Sequence, residues 1–255
     1  MRPDPRRAVT AQVLRALAAS TPWVEDEVRG LDHVVSPGDV VVDVGAALGV
    51  YTCVLSRLVG PTGVVLSVEP LPGLYTPYDG WLRLRSAPNV RRYALALGAE
   101  PHTAAVSVPM RRGRPVTGRA FVTTGAGGLG SNAEFAEQVE HEVPVTTLDE
   151  LARRTRLDRI DFVKADVEGG ELAFLRGAEA TVGEFRPSVL LEVEDRHLER
   201  YGHTAGDVVA WFGERDYALS AWSQGAWRPV SGVREGVRNY LFFPSGRQVS
   251  SRGSS

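Results

Sequence analysis

Residues 39–49 read DVVVDVGAALG, an apolar run that carries one internal acid and ends in a turn with two glycines. Short, continuous apolar runs are typical of strands buried in the middle of a parallel sheet, so the sequence predicts a central strand over residues 40–44. Gly45 and Gly49 stand where the chain must turn sharply and a ligand must approach its backbone. The next segment, VYTCVLSRLVG, repeats apolar residues at helical spacing and ends at Gly60, so a helix is expected after the turn.

A second strand, VVLSV at residues 64–68, leads into Glu69. Strand, glycine turn, helix, strand and acid is the order of a nucleotide-binding βαβ unit, in which the acid hydrogen-bonds a ribose. The turn has the spacing G-x-x-x-G, whereas a dinucleotide needs closer glycines so that a helix N-terminus can hold its pyrophosphate. S-adenosylmethionine has no phosphate, and its ammonium group suits Asp43. The sequence therefore predicts S-adenosylmethionine as the cofactor, with its adenine after the third strand, near Leu95 and Ala96.

The composition is that of a soluble globular protein and argues against several classes of partner. The 255 residues suffice for one α/β domain with a full core. With 29 basic against 31 acidic residues there is no excess charge to neutralise phosphates, so a nucleic acid partner is not expected. No apolar run is long enough to cross a bilayer, and Gln12 and Arg15 interrupt the apolar N-terminal segment. We therefore expect no membrane partner and no signal peptide, and predict a cytoplasmic protein.

Strands and helices alternate along most of the chain, which predicts an α/β fold with a doubly wound, mostly parallel sheet. After the first two strands, the predicted strands are 90–93, 160–166 and 188–193, then YALSAW and NYLFF; the predicted helices lie around 73–85, over 170–181 and near 204–214. Thr147, with Glu150 three residues later, indicates a capped helix start. Residues 100–147 interrupt the alternation, and we interpret them as an irregular insertion or edge hairpins beside the main sheet.

The chain divides accordingly into three parts. Residues 1–36 are predicted to form an N-terminal helical segment or lid, with an amphipathic helix over 6–19 and a short helix that ends near His33. Residues 37–246 form the predicted cofactor-binding domain. Residues 247–255 are a polar tail, which we expect to be disordered.

A second glycine-rich segment, GAGGLG at residues 125–130, satisfies the dinucleotide pattern G-x-G-x-x-G. It follows a β-like segment and precedes SNAEFAEQVE, so an NAD(P)-dependent oxidoreductase is a rival interpretation. The context is poor, because the preceding segment carries Arg119 and two threonines and the following one has a thin apolar face. We prefer a mobile surface loop that closes over substrate.

The other informative stretch is DFVKADVEGGELAFLRGA, residues 161–178. Lys164 and Asp166 lie on the same face of the predicted strand, and Asp166 stands at its carboxyl end, where open α/β sheets bind their ligands. Glu168 follows in the same loop, and the next strand brings Glu192 to the same edge. Asp166 is expected to align the substrate or cofactor, or to bind a divalent metal such as Mg²⁺ through oxygen ligands together with Glu192.

Three residues of this region have competing interpretations. Lys164 is the only lysine beside 28 arginines, and we interpret it mainly as a structural partner of the carboxylates, because an unpaired buried charge is costly. Glu168 is either a catalytic group or a favourable charge at the N-terminus of the following helix. His197 lies just after a predicted strand and is the best placed histidine for a general base.

Together these segments resemble the FkbM family of S-adenosylmethionine-dependent O-methyltransferases. The matching segments are VVDVGAALGVYT at 41–52, LSVEP at 66–70, TLDEL at 147–151, IDFVKADVEGGELAFLRGA at 160–178 and RPSVLLEVE at 186–194, with a looser match at NYLFFP. The VKADVEGGE block is the specific part, since class I methyltransferases in general share the glycine turn. The resemblance covers about residues 37 to 244.

The resemblance implies a seven-stranded sheet with an antiparallel last strand, and methyl transfer to a hydroxyl, often on a sugar or polyketide-type natural product. Its two cofactor motifs contain the following predicted contacts: Asp43, Gly45, Ala46, Gly49, Thr52, Glu69 and Pro70. Asp166, Glu168 and His197 are the expected catalytic residues. Two positions depart from the family pattern: Ala47 stands where Asn is common, and Asp216 stands where a glycine usually precedes the sixth strand.

The sequence therefore predicts an O-methyltransferase that acts on a small hydroxylated molecule. A hydroxyl is a poor nucleophile while it is protonated, so a base or a metal must assist, and the sequence leaves both routes open. The alternatives are the oxidoreductase based on residues 125–130 and a catalytically silent cofactor-binding module. A homo-oligomer is compatible with the sequence, which does not identify the acceptor.

Overall fold

The computed structural model of this protein describes residues 12–16, 18, 25–75, 88–116 and 119–246, and all structural statements below concern these residues. Residues 12–16 are helical, in agreement with the helix predicted over 6–19. The remainder of that helix, most of the helix predicted around 73–85, and the tail predicted to be disordered lie outside the described residues.

The described chain contains the following regular elements. The strands are β1 (Val40–Val44), β2 (Val64–Val68), β3 (Val90–Tyr93), β4 (Ala96–Leu97), β5 (His102–Arg111), β6 (Arg114–Pro115), β7 (Phe121–Val122), β8 (Glu137–Thr146), β9 (Phe162–Ala165), β10 (Ser188–Glu192), β11 (Tyr217–Ser223), β12 (Ala226–Pro229) and β13 (Asn239–Pro244). The α-helices are α1 (Val50–Val59), α2 (Leu148–Thr155), α3 (Glu171–Arg176), α4 (Glu179–Phe185), α5 (Asp195–Leu198) and α6 (Ala205–Gly213). Short 3-10 segments are Asp26–His33, Gly60–Thr62, Pro72–Tyr75, Gly130–Glu134 and Glu199–Tyr201.

The main sheet has the strand order β12-β11-β13-β10-β9-β1-β2-β3. From β3 to β10 every neighbouring pair is parallel, and β13 runs antiparallel to both β10 and β11. The predicted α/β class and the antiparallel last strand are therefore confirmed. The predicted count of seven strands is wrong for this chain, because the described sheet has eight.

The additional strand is β12, which forms a hairpin with β11. Ser223 pairs with Ala226, so only Gln224 and Gly225 connect the two strands. Both connecting residues have positive φ, 52° and 75°, as a two-residue turn that follows the twist of a hairpin requires. The Gln-Gly pair between YALSAWS and AWRP was therefore a hairpin signal that the sequence analysis missed.

The segment predicted as an irregular insertion forms a second, five-stranded sheet. Its order is β4-β8-β5-β6, and β7 pairs with β5 on the side. The long strands β5 and β8 pair antiparallel from His102 with Val145 to Met110 with Glu137. Of the two predicted alternatives, an irregular insertion and edge hairpins, the second is the nearer, but the paired strands form a sheet of their own. The sequence does not reveal that sheet because charged residues of β8 stand between its apolar positions, and its strand partner lies about 30 residues away.

The single helix predicted over 170–181 is instead two helices, α3 and α4. The break lies at Gly177, where an added Cβ would clash with the carbonyl oxygen of Gly98. The chain after β4 therefore approaches the backbone at Gly177 closely, which a side chain there would prevent. The predicted helix start at Thr147 is confirmed, since its side chain accepts a hydrogen bond from the Glu150 N–H at 3.0 Å.

Apolar side chains cover both faces of the main sheet. On one face, α1 and the segment Asp26–His33 pack through residues such as Leu31 and Leu55. On the other face, the helices α2 to α6 pack through residues such as Phe174 and Phe212. The carboxyl ends of β1, β2, β9 and β10 meet at one edge of these layers, which is where ligands bind in open α/β sheets. None of the described helices has the length and apolar content needed to cross a bilayer.

The two departures from the family pattern share one backbone property. Ala47 has φ of 45° and Asp216 has φ of 57°, both in the left-handed region. Asn and Gly adopt this region more readily than other residues, which explains why a related sequence would carry them there. Asp tolerates this region nearly as well as Asn does, so the backbone strain falls mainly on Ala47.

Candidate active site

A cavity of about 310 Å³ opens at the carboxyl ends of β1, β2 and β9. Loops that follow these strands form one part of its wall, and the second sheet forms the other. A volume of this size lies at the lower end of the range that ligand pockets occupy, roughly 300–1,000 Å³.

About half of the residues predicted to bind a cofactor line the cavity. The predicted residues on its wall are Gly45, Glu69, Pro70, Leu95 and Ala96. The predicted residues that do not line it are Asp43, Ala46, Gly49 and Thr52. Ala46 and Gly49 lie in the glycine turn, and Gly49, with φ of 76°, directly precedes α1. Asp43 lies in β1 just before the turn, and Thr52 lies in the first turn of α1. Their placement fits a role in shaping the turn.

The glycine turn is held against two neighbouring loops. Gly45 has φ of 70°, and an added Cβ would clash with the carbonyl oxygen of Asp166. Glu69 accepts hydrogen bonds from the N–H groups of Ala47 and Leu71, each at 2.9 Å. Burial raises the pKa of Glu69 in spite of these two bonds. Because Glu69 also lines the cavity, its carboxylate both fixes the turn and faces the ligand space.

Asp43 is a buried acid with one satisfied oxygen. Its Oδ2 accepts a hydrogen bond from the Thr52 hydroxyl at 2.5 Å, and Thr52 also lies 3.0 Å from the Ser67 hydroxyl. Its Oδ1 has no hydrogen-bond partner among the described residues. Burial raises the pKa of Asp43, although the ammonium of Lys164 opposes that shift. A buried acceptor without a partner is costly, so a donor group supplied by a ligand would be favourable there.

Three carboxylates meet beside the cavity. Asp166 and Glu168 line the cavity and Glu192 lies behind them, and one oxygen from each lies within 4.8 Å of the others. Burial would raise the pKa of Asp166, but Lys164 at 3.2 Å and a hydrogen bond with Glu192 hold it below its usual range. Burial and the charge of Asp166 raise the pKa of Glu192 to about 10 and that of Glu168 to about 8. Asp166 is therefore the most acidic of the three carboxyl groups.

His197 stands behind this cluster and does not line the cavity. Its Nδ1 lies 3.3 Å from Glu168 and 3.9 Å from Glu192, and its side chain is 4% exposed. Burial lowers the pKa of His197 to about 4, so the imidazole is neutral at physiological pH. The structure therefore brings together all three predicted catalytic residues, but it puts Glu168 between His197 and the cavity.

The cluster is tied to one buried cation, Lys164. Burial would lower its pKa, but the carboxylates of Asp166, Glu25, Asp43 and Glu192 outweigh burial and raise it. Lys164 therefore stays charged, as the sequence analysis expected of a structural partner.

The glycine-rich residues 125–130 lie at the side of the site. They follow the two-residue strand β7 and lead into a 3-10 segment and then β8, so they do not join a parallel strand to an α-helix. Their backbone contacts the segment Glu199–Tyr201, where the Gly127 N–H donates to the Arg200 carbonyl at 2.6 Å. The context required for a dinucleotide site is therefore missing.

Several cavity residues were not predicted at all. They come from the second sheet and the segment after α5: Val106, Phe121, Val122, Val145 and Tyr201. The Tyr201 hydroxyl donates to the Val122 carbonyl at 2.5 Å, which fastens the two parts of the wall to each other. Alternating apolar residues in β5 and β8 are a sequence signal for a buried face, but they do not reveal what that face covers.

Comparison with known protein families shows where this fold and its cavity belong. A family model described as the methyltransferase FkbM domain matches residues 43–219, which run from the central strand to β11. The chain belongs to the FkbM methyltransferase family. The match includes the glycine turn, Glu69, the VKADVEGGE block and the second sheet, so it contains the whole cavity wall described above.

One curated relative and two solved structures illustrate the FkbM family and its neighbours. Methyltransferase 1 of Beauveria bassiana (strain ARSEF 2860) is 27% identical over 161 residues, which cover 61% of this chain and 64% of the relative. The chain thus spans less than two thirds of that relative's length. The crystal structure of methyltransferase FkbM from Methylobacillus flagellatus KT has a TM-score of 0.47 and 16% identity, covering 93% of this chain and 59% of that one.

The second solved structure is the O-methyltransferase TomG from Streptomyces achromogenes, involved in tomaymycin synthesis and determined in complex with S-adenosylmethionine. It has a TM-score of 0.48 and 12% identity, covering 96% of this chain and 92% of that one.

The cavity of this FkbM family member fits the methyl donor of such enzymes. The close approach of Gly45 to the Asp166 backbone holds the glycine turn against the loop after β9, and both residues line the cavity. Glu69 suits the ribose, and Leu95 and Ala96 provide an apolar wall for the adenine. Asp43, whose Oδ1 has no partner among the described residues, lies behind the glycine turn and outside this wall. Carboxylates and apolar side chains are the groups expected around S-adenosylmethionine, which is positively charged and carries no phosphate.

Proposed function

We propose that this protein transfers the methyl group of S-adenosylmethionine to a hydroxyl of a small molecule, such as a sugar or a polyketide-type natural product. The observation that carries this proposal is the cluster of Asp166, Glu168 and Glu192 beside a cavity built from the cofactor motifs of the family. A hydroxyl acceptor needs a group that takes its proton, and this cluster offers such groups next to the cofactor space.

Positioning supplies much of the acceleration in this reaction. S-adenosylmethionine supplies a methyl group already activated by the sulfonium. Displacement at that carbon requires the nucleophile, the methyl group and the sulfur to be in line, so fixed geometry lowers the barrier. The rigid glycine turn at Gly45 and the carboxylate of Glu69 orient the donor, and the second sheet excludes water from the cavity.

Glu168 is the group that we propose as general base. It faces the cavity, and its pKa of about 8 lies near physiological pH, which is where a base combines availability with strength. Its backbone has φ of 52°, a strained conformation of the kind found at functional sites. His197 contacts Glu168 from behind at 3.3 Å and acts on the reaction through that carboxylate.

A divalent cation would provide a second way to lower the pKa of the acceptor hydroxyl. The oxygens of Asp166, Glu168 and Glu192 lie within 4.8 Å of one another, and carboxylate oxygens are the ligands that Mg²⁺ prefers. We therefore propose this cluster as the place where Mg²⁺ would bind if the reaction uses it. Full activity after exhaustive chelation would argue against this part of the proposal.

Two other functions are weaker candidates. An NAD(P)-dependent oxidoreductase would need residues 125–130 to start a helix after a parallel strand, and the surroundings of that segment argue against it. A catalytically silent cofactor-binding module would need no buried carboxylates with strongly displaced pKa values, so the cluster argues against it as well.

Isothermal titration calorimetry tests the cofactor directly. We expect S-adenosylmethionine and S-adenosylhomocysteine to bind at micromolar concentration and NAD⁺ and NADP⁺ not to bind. Asp43→Ala and Glu69→Ala should each weaken S-adenosylmethionine binding by at least 10-fold, because one removes the buried acceptor and the other removes the support of the glycine turn. A screen of hydroxylated acceptors with methyl-labelled cofactor then identifies the substrate.

Glu184→Ala is the matched control, because Glu184 is an exposed carboxylate on α4. It should bind S-adenosylmethionine like the unmodified protein. Unchanged affinity in both Asp43→Ala and Glu69→Ala, or binding of NAD⁺ in place of S-adenosylmethionine, would overturn the assignment.

A further inference from the structure

Lys164 makes one direct ionic contact at the wall of the cavity. It lies on β9 with its side chain 3% exposed, and its Nζ is 3.2 Å from Oδ2 of Asp166. The Asp166 side chain is 31% exposed, so one side of this carboxylate faces the cavity and the other meets the buried ammonium. The lysine itself does not line the cavity. Its ion pair with Asp166 is therefore the most direct route by which Lys164 can influence a bound ligand.

The ammonium is closed off on its other side by Tyr51, the second residue of α1. The Nζ of Lys164 lies 5.0 Å from the centre of the Tyr51 ring, a distance at which the face of an aromatic ring attracts a cation. The Tyr51 hydroxyl donates to Glu25 at 2.6 Å. Glu25 directly precedes the segment Asp26–His33, so the N-terminal part of the fold fixes the ring that covers the lysine.

The shape of this space explains why a lysine occurs here in a chain that otherwise uses arginine. The β1 residue that pairs with Lys164 is Asp43, and both side chains are buried, so little space is open to a larger cation beside them. An ammonium is a compact point charge on a slim stem, whereas a guanidinium is a broad planar fork. The single lysine beside 28 arginines agrees with a position where a compact cation packs better than a guanidinium.

We propose that Lys164 is a positioning residue: with Tyr51 and Glu25 behind it, it holds the Asp166 carboxylate in the orientation that the cofactor meets. The inference rests on the proposed function in one respect, because the ligand is taken to be S-adenosylmethionine. A buried ion pair often contributes little to stability, so its position beside the cavity is the better reason for this pair.

The single lysine also provides the test. Protein labelled with [ε-¹³C]lysine, prepared without any lysine from a tag, should show one Cε resonance, which reports on Lys164 alone. Asp166→Asn and Tyr51→Phe should both shift this resonance, since one removes the ionic partner and the other removes the bond that fixes the ring. Glu184→Ala should leave it unchanged. An Asp166→Asn variant that does not shift the signal would overturn the proposed contact.

Binding of S-adenosylmethionine gives the second readout, by calorimetry on a double-mutant cycle. Lys164→Met should weaken binding by at least 10-fold when Asp166 is present and by less than 3-fold when it is already Asn, because the lysine acts mainly through that carboxylate. Lys164→Arg should not restore affinity. A lysine with a merely structural role would lower the free energy of unfolding and leave affinity in the folded variants unchanged, which would overturn the proposal.

These two readouts separate the inference from the proposed function. If the unmodified protein fails to bind S-adenosylmethionine, the proposed function is wrong, and the response of the lysine resonance to Asp166→Asn alone decides whether Lys164 holds that carboxylate. If the unmodified protein binds and the cycle is additive, the function stands and the positioning role is wrong.

Discussion

Glu171, the first residue of α3, is a carboxyl group kept almost entirely from water. It is 1% exposed, its Oε1 accepts a hydrogen bond from the Gly169 N–H at 3.0 Å, and its Oε2 has no partner among the described residues. Burial raises its pKa from 4.5 to about 7. Ionising this group within the fold therefore costs free energy, and this cost is a property of one residue.

The sign of the resulting pH dependence follows from proton binding. Between pH 4.5 and 7 the folded protein holds a proton on Glu171 that the unfolded chain has released, so the contribution to stability is complete below about pH 4.5 and is lost as the pH rises to 7. A shift of this size corresponds to about 3 kcal/mol at most.

We predict that Glu171→Gln loses less stability than the unmodified protein between pH 5 and pH 8. Glutamine keeps the acceptor for Gly169 and cannot ionise, so the cost of a buried charge disappears. Urea unfolding at the two pH values measures the difference. Glu184→Gln on the exposed face of α4 is the control, and equal pH dependence in all three proteins would contradict the prediction.

At the scale of elements, the hairpin of β11 and β12 carries the N-terminal segment. The indole N–H of Trp227 donates to the Gly30 carbonyl at 2.9 Å, and that of Trp222 donates to Asp26 at 2.8 Å. The two indole rings meet edge to face with centroids 5.3 Å apart. Gly30 has no room for a Cβ because the Trp222 ring lies against it. The segment Asp26–His33 therefore packs on the hairpin that the eighth strand forms with β11.

Trp227→Ala should release this segment and destabilise the protein by about 3–5 kcal/mol, the usual cost of removing a large buried aromatic side chain. Urea unfolding measures the loss, and limited trypsin digestion at Arg29 measures the release. Trp227→Phe is the matched variant, because it keeps most of the packing and loses only the hydrogen bond to Gly30, at about 1 kcal/mol. Cleavage at Arg29 that is no faster in Trp227→Ala would disprove the docking role.

At the scale of the whole molecule, the second sheet covers the cofactor cavity and is fastened to the main sheet near Tyr201. The Tyr201 hydroxyl donates to the Val122 carbonyl, and the Arg200 carbonyl accepts from Gly127. Arg200 also stacks over the Phe121 ring, with its guanidinium carbon 3.9 Å from the ring centre. If the second sheet moved away from the main sheet here, the contacts of the segment Glu199–Tyr201 with β7 would break.

Tyr201→Phe should speed the dissociation of S-adenosylmethionine several-fold with a loss of only about 1 kcal/mol in the free energy of unfolding, because it removes one hydrogen bond between the two parts of the wall. Stopped-flow fluorescence measures the dissociation rate. Tyr240→Phe is a suitable control, since its hydroxyl bonds the Arg234 backbone and neither residue lines the cavity. If both variants release the ligand at the same rate as the unmodified protein, the fastening is not what retains it.

Local patterns were sufficient to predict a large part of this architecture. The apolar run at 40–44, the glycine turn and the helix up to Gly60 are all as expected, because burial on both faces and helical periodicity leave direct traces in neighbouring residues. Glu69, Leu95 and Ala96, which were predicted as cofactor contacts, line the cavity, since the carboxyl ends of parallel strands meet at one edge.

Other features depend on contacts between residues distant in sequence. The break at Gly177 depends on the approach of Gly98, and the second sheet depends on the pairing of β5 with β8. His197 also depends on such contacts. Its position just after a strand was predicted, but its burial behind Glu168 results from the packing of α5 against the carboxylates of Asp166, Glu168 and Glu192.

The sequence by itself determined the α/β class, the glycine turn, the acids at the ends of the strands and the family, because each of these is written in a few adjacent residues. Only the tertiary structure decided that β12 joins the sheet, that residues 100–147 cover the cavity, and that Lys164 is held between Asp166 and Tyr51. The reason is physical. Propensity and periodicity act over one or two turns of chain, whereas burial, displaced pKa values and ion pairing depend on which distant segments share the same space.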